Sequence, residues 1–173
     1  MGNNNTRSTI RSQIMRGASV AAIAVGSAAA VFAIGLTFSL VPKGYYTIIL
    51  GYSIYIGSLS CAALGVYATG VAKAHALRLF GRTGDGRLPR WNRVVGPCPL
   101  WLRRASRIAF VAMLLYAAVI WLQTWHRRES FNVAKLAALF SAFAAALSWN
   151  SAVSLAAAAN WLDGAKGDDE ARG

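Results

Sequence analysis

Hydrophobic residues are gathered into four long runs along the 173-residue chain, and the ionisable residues lie between them. From Gly17 to Val41, and again from Gly44 to Ala72, there is no Asp, Glu, Lys, Arg or His. A helix needs about 20 apolar residues to cross the hydrocarbon core of a bilayer. Both runs are longer than that, so each is predicted to span a membrane.

Extending this pattern to the whole chain predicts an all-α integral membrane protein with four transmembrane helices, arranged as two antiparallel hairpins. Pro42 and Gly44 favour a tight turn between the first two spans, because proline stops a helix and glycine permits unusual backbone angles. The predicted segments are a basic arm 1–16, a span 17–41, an outer turn 42–44, a span 45–72, a basic loop 73–107, a span 108–125, an outer loop 126–135, a span 136–162 and an acidic tail 163–173.

The distribution of lysine and arginine predicts the orientation of these spans. If the N-terminus is cytoplasmic, the cytoplasmic segments hold fourteen Lys and Arg residues and the outer segments hold four. Cationic loops stay preferentially on the cytoplasmic side. Both termini are therefore predicted to be cytoplasmic. The alanine- and arginine-rich composition is typical of a GC-rich bacterium, so the predicted location is a bacterial inner membrane.

The composition favours a membrane over nucleic acid as the chain's environment. Hydrophobic residues make up 56% of the chain and charged residues 14%, whereas a soluble domain has roughly 25% charged residues. A net charge of +12 suits either nucleic acid or the anionic inner leaflet. No recognised nucleic-acid motif accompanies the cations, so the predicted partner is anionic lipid.

Residues that commonly perform chemistry in a membrane are missing from the predicted spans. Pumps and ion-coupled transporters usually place an ionisable residue there. The two histidines, His75 and His126, are predicted at opposite membrane faces, so they cannot share a haem. Cys61 and Cys98 have no metal-binding or disulfide spacing. The sequence therefore predicts a protein that is not an enzyme, with no catalytic residue, metal site or cofactor.

Small residues recur at every fourth position on several spans. Faces of this kind let helix backbones approach closely, which drives helix association in lipid. The partner of such a face is either another membrane protein, a second copy of the chain, or another span of the same chain. The predicted helix-packing residues are Ala22, Gly26, Gly57, Cys61, Gly65, Ala142 and Ala146.

The fourth span carries polar residues near its middle. An asparagine at that depth should find a hydrogen-bonding partner, because lipid offers none. The cluster is either interhelical glue or a site for a neutral solute or lipid headgroup, with the tryptophan as one wall. The predicted polar intramembrane site consists of Ser148, Trp149, Asn150, Ser151 and Ser154.

The loop 73–107 interleaves cations with tryptophans. Arginines can contact lipid phosphates while tryptophans lie at headgroup level. An acidic cytoplasmic protein, or the chain's own acidic tail 163–173, could contact the same cations. The predicted contacts with anionic lipid or such a partner are Arg87, Arg90, Trp91, Arg93, Trp101, Arg103 and Arg104.

Three functional hypotheses follow from these patterns. The leading one is a non-enzymatic accessory or scaffold subunit of a membrane complex, packing through its small-residue faces against other subunits or itself. The second is an oligomeric channel or facilitator for a neutral solute, built around the polar residues of the fourth span. The third is a docking module that uses the basic loop 73–107 to bind lipid or a partner.

Overall fold

The computed structural model describes residues 2–38, 40, 45–80, 91–127 and 133–170, and nearly all of them are helical. The prediction of an all-α fold is confirmed, since none of these residues belongs to a strand. The predicted outer turn 42–44 lies outside the described residues. The helices are α1 Gly2–Thr37, α2 Tyr45–Phe80, α3 Trp91–Val94, α4 Leu100–Arg127 and α5 Val133–Glu170.

Four of these helices are long and apolar enough to cross a bilayer, which confirms the prediction of a multi-pass membrane protein. The candidate spans are Thr9–Thr37, Tyr45–Arg78, Leu100–Leu122 and Val133–Gly164. Many of their large apolar side chains are exposed, including Ile56, Leu114 and Leu115. Such side chains on helices of this length are suited to lipid.

Parts of the predicted loop 73–107 are helical. Helix α2 continues to Phe80, and α4 begins at Leu100, directly after Pro99. The Pro99 carbonyl accepts hydrogen bonds from the backbone N–H groups of Leu102 and Arg103, at 3.1 and 3.2 Å. Proline is suited to this position, because the first residues of a helix lack intrahelical partners for their N–H groups.

Helix α5 lies against each of the other long helices. Its contact with α1 is the most extensive, followed by those with α2 and α4, while α1 and α2 share a smaller contact. The small side chains of α5 explain this position, because alanine and serine let several neighbouring backbones approach one helix. The buried alanines of α5 include Ala145, Ala152, Ala157, Ala158 and Ala159.

Contacts along α1 and α5 show that the two helices run in opposite directions. In the first half of α1, Arg16 forms an ion pair with Asp163 of α5. Further along, the Ser19 hydroxyl donates a hydrogen bond to the Ala152 carbonyl at 3.0 Å. Phe32, later in α1, packs with Ala144, earlier in α5. The first turns of the α1 span therefore lie beside the last turns of the α5 span.

A short stretch, 94–98, covers one end of the α1, α2 and α5 core, and we refer to it as the capping segment. Val94, Val95 and Cys98 are each at most 3% exposed. Two side chains of α5 hold this segment by its backbone. The Asn160 amide donates to the Pro97 carbonyl, and the Trp161 indole N–H donates to the Val94 carbonyl, both at 2.8 Å.

Candidate functional site on helix α5

Hydroxyl groups connect α2 to α5 inside the protein. Ser148 is fully buried, and its hydroxyl donates to the hydroxyl of Ser58 at 3.1 Å. The Thr69 hydroxyl lies 3.1 Å from the Ser154 hydroxyl and also bonds to the Gly65 carbonyl of its own helix at 2.8 Å. These polar groups therefore satisfy one another between two helices of one chain, as interhelical glue would.

Removing one of these paired hydroxyls should weaken the fold modestly. We expect Ser58→Ala and Ser148→Ala to be coupled by about 0.6 kcal/mol, the average for interhelical hydrogen bonds in a membrane protein. A double-mutant cycle measures this coupling from the free energy of unfolding in mixed micelles. Ser60→Ala is a suitable control, since the Ser60 hydroxyl bonds only to the Ile56 carbonyl of its own helix. Strictly additive effects of the two substitutions would show that the bond contributes nothing.

Two glycines mark the closest approaches of α5 to its neighbours. A Cβ atom added to Gly65 of α2 would lie 2.8 Å from the Cβ and Oγ atoms of Ser151. A Cβ added to Gly26 of α1 would lie 2.7 Å from Cδ1 of the Trp149 indole. At both positions glycine leaves room for this approach, because an added Cβ would have to displace atoms of α5.

The predicted helix-packing residues take part in contacts within the chain. Ala22, Cys61 and Ala146 are buried, with Ala22 completely enclosed. Gly57 and Ala142 are half-buried, and a Cβ on Gly57 would be in ordinary contact with Val25. The structure thus favours the alternative in which these faces join the chain's own spans.

The structure does not bring the predicted polar intramembrane residues together. Ser148, Ser151 and Ser154 are buried, whereas Asn150 is exposed. Trp149 is half-buried and packs against Gly26 on the α1 side. The five residues therefore face several directions around α5, because successive helical residues are about 100° apart.

Asn150 instead lines a groove of about 440 Å³ between α4 and α5. It shares the groove with Ser106 and Arg107, and the remaining wall is apolar, with Phe110 and Phe143 on opposite helices. Asn150 lies near the middle of the apolar stretch of α5. In the described part of the chain its amide has no hydrogen-bonding partner.

The basic loop residues are only partly described. The exposed residues are Trp91, Arg93, Trp101 and Arg104, whereas Arg103 is half-buried. Arg93 also interacts with another group of the protein. Arg87 and Arg90 lie outside the described residues. Near the loop's C-terminal end, the exposed tryptophan and arginine therefore lie next to each other on α4.

Sequence reasoning missed the capping segment and its two anchors. Val94, Val95 and Leu102 form an apolar pattern within a basic loop, and that pattern could have indicated burial. Asn160 and Trp161 could have been identified as polar-tipped side chains at a helix end, where free backbone groups need partners. Both cysteines are free thiols, and among the described residues no three His, Cys, Asp or Glu side chains are grouped for a metal ion.

Comparison of the chain with family models, with curated proteins and with solved structures finds no match.

Proposed function

We propose that this chain is a non-enzymatic subunit of a membrane complex, and that it docks a transmembrane helix of another membrane protein in the groove between α4 and α5. The observation that carries the proposal is the exposed Asn150 amide in that groove. An amide facing hydrocarbon without a partner costs several kcal/mol. A polar side chain on a docked helix would remove that cost.

The loose packing of α4 supports the same proposal. Within the described residues, α4 has its main helix contact with α5, whereas α1, α2 and α5 each contact one another. Phe110 and Val111 of α4 and Phe143 of α5 are exposed beside the groove. An additional helix would pack against these side chains by van der Waals contact, which drives helix association in lipid.

The orientation that goes with this proposal has both termini in the cytoplasm of a bacterium, with spans paired as two antiparallel hairpins in the inner membrane. The excess of cations in the arm, the loop 73–107 and the tail supports it. The ion pair between Arg16 and Asp163 also supports it, since it requires the two end regions of the chain to be at the same face.

Substitution of Asn150 tests the proposed docking groove. We expect Asn150→Leu to reduce the partner recovered from native membranes by about tenfold, the equivalent of roughly 1.4 kcal/mol. The measurement is a mild-detergent pull-down of the tagged chain, read by quantitative proteomics against wild type. The substitution exchanges an exposed amide for an apolar group, so the folded chain should be recovered at its normal yield.

Ser60→Leu provides the matched control. Ser60 is exposed near the middle of the α2 span, and its hydroxyl is bonded within its own helix. Recovery of the partner should be unchanged in this variant. If Asn150→Leu recovers the same partner in the same amount as wild type, docking does not use this groove.

The exposed Asn150 also favours a second candidate, a facilitator for a neutral solute. Copies of the chain could surround a pathway to which each contributes Asn150 and Ser106. This candidate requires a homo-oligomer without other subunits, and Asn150→Leu would then abolish solute flux in proteoliposomes while leaving the oligomer intact. Recovery of a different membrane protein by the pull-down distinguishes the leading proposal from this one.

A further inference from the structure

A second concave site lies near the capping segment, at the same end of the long helices. It is a cleft of about 210 Å³ formed by α1 and α2, with Leu162 of α5 at its side. Arg11 of α1 and His75 and Arg78 of α2 contribute its polar groups. None of the predicted site residues lines it.

The polar and apolar residues of this cleft are segregated along its length. Its α2 wall includes Ala74 together with Tyr67, Val71, His75 and Arg78. The last four share one helix face because they are three or four residues apart. From Tyr67 to Arg78 the helix rises about 16 Å, at 1.5 Å per residue. The apolar residues lie toward the middle of the span and the cation lies at its end.

The α1 wall has the same arrangement, with the cation at the helix end and the apolar residue deeper, although here the cation comes first in the sequence. Met15, which is 6% exposed, lies deeper in the helix than Arg11, which is exposed at the cleft. The two guanidinium groups thus lie at the membrane-surface end of the cleft, with apolar side chains below them. This is the polarity of a phospholipid, whose phosphate is at the surface and whose acyl chains extend inward.

The charge of the cleft is not balanced by an acid among the described residues. Asp163 is the described acidic side chain nearest to this end of the helices. It is paired with Arg16, which does not line the cleft. In the described part of the chain, neither Arg11 nor Arg78 has an ion-pair partner. Two guanidiniums that pair with none of the described carboxylates favour a ligand with net negative charge.

We propose that this cleft binds one anionic phospholipid, with its phosphate between Arg11 and Arg78 and an acyl chain along Tyr67, Val71 and Leu162. His75 lies beside the phosphate position and supplies a further N–H donor. The proposal goes beyond the subunit function and does not rest on it, because the cleft and the α4–α5 groove share no residue. It assigns a discrete lipid site rather than general attraction to a charged leaflet.

The test is native mass spectrometry of the full chain in mild detergent, titrated with phosphatidylglycerol and, separately, with phosphatidylcholine. Wild type should retain phosphatidylglycerol at lower lipid concentration than phosphatidylcholine. Arg11→Gln with Arg78→Gln should weaken phosphatidylglycerol binding by about tenfold or more, since each basic residue near an anionic lipid contributes measurably to its affinity. Both arginines are exposed, so the double variant should unfold at the temperature of wild type.

The matched control removes two positive charges from the same end of the helices but outside the cleft. Lys73→Gln with Arg104→Gln does this, since both residues are exposed and neither lines the cleft. Lipid binding by this variant should remain close to wild type. An equal loss in the two double variants would overturn the discrete site, because it would show that only the net charge matters.

Two further measurements separate a lipid from a free anion. Val71→Phe keeps every charge and fills the apolar part of the cleft, so it should weaken the binding of phosphatidylglycerol while preserving the unfolding temperature. A large excess of inorganic phosphate should not displace the lipid. Displacement by inorganic phosphate, or unchanged lipid binding in Val71→Phe, would show that no acyl chain lies in the cleft and would contradict the proposal.

Discussion

Replacing Gly65 by leucine is expected to force α2 away from α5 and to abolish the folded state in mild detergent. A Cβ at this position would lie 2.8 Å from the Cβ and Oγ atoms of Ser151 and 3.0 Å from its Cα. The Cα atom can move only with α5, so rotating a side chain cannot relieve the clash. Inserting extra methylene groups into a packed core costs about 1–3 kcal/mol. Leucine adds a whole branched side chain where glycine has none, so its cost should exceed this range.

Gly65→Ala tests the same contact with a smaller change. Within a helix, alanine is favoured over glycine by about 1 kcal/mol. The contact with Ser151 opposes this gain with an overpacking cost of about 1–3 kcal/mol. We therefore expect Gly65→Ala to leave the free energy of unfolding unchanged or lower, where propensity alone predicts an increase.

Gly70 supplies the matched control on the same helix. A Cβ added to Gly70 would have no neighbouring atom within 4 Å. Gly70→Ala should therefore raise the free energy of unfolding by up to about 1 kcal/mol, and Gly70→Leu should fold. The measurement is unfolding of the purified chain in mixed micelles as the fraction of sodium dodecyl sulfate is raised. Equal unfolding curves for Gly65→Leu and Gly70→Leu would show that the approach of α2 to α5 is not critical.

Releasing the capping segment is expected to increase the alkylation rate of Cys98 at pH 8 by about a hundredfold. Burial raises the pKa of the Cys98 thiol from 9.0 to about 11, although the nearby Arg103 cation acts in the opposite direction. The thiolate is the reactive form. At pH 8 a thiol of pKa 11 has about one hundredth of the thiolate present at pKa 9, so exposing the thiol restores that factor.

The variant for this test combines Asn160→Ala with Trp161→Phe, which removes both side-chain hydrogen bonds to the segment. A Cys61→Ala background leaves Cys98 as the single thiol. Alkylation by a small maleimide is followed by mass spectrometry. Trp101→Phe is the control, because it is an equivalent substitution of an exposed tryptophan on α4. Rapid alkylation of the unaltered segment at pH 8 would contradict the burial of Cys98.

The same raised pKa fixes the direction of a pH effect on stability. The unfolded chain loses the Cys98 proton at lower pH than the folded chain does, because the folded thiol has the higher pKa. Deprotonation therefore favours the unfolded state progressively as the pH rises from 9 toward 11. Below pH 9 both states are protonated and this contribution to the free energy of unfolding is constant.

The helices could be predicted from the sequence because a long run without ionisable residues can satisfy its backbone polar groups in lipid by forming a helix. The arrangement of the helices was harder to predict. Spacing places Gly57, Cys61 and Gly65 on one face, but spacing does not say which helix contacts that face. The structure places α1 beside Gly57 and α5 beside Gly65, and α5 is adjacent to α2 in space rather than in sequence.

The sequence indicated which polar residues the fourth span carries, but not which helices those residues face. The polar residues predicted on the fourth span lie near the middle of α5. Which neighbouring helix each of these residues meets could not be predicted, because that depends on where α1, α2 and α4 surround α5. Ser148 and Asn150 are two residues apart, so they face different sides of the helix. One is bonded to α2, while the other lies in the α4–α5 groove.

The central position of α5 bears on the order in which the protein can assemble during synthesis. Helix α5 leaves the ribosome after α1, α2 and α4, yet it makes the most extensive contacts of the fold. The earlier helices can enter the bilayer individually, because an apolar helix is stable in lipid without neighbours. Until α5 arrives, the hydroxyls of Ser58 and Thr69 lack their partners on α5. The insertion of α5 is therefore the step at which this chain becomes a packed protein.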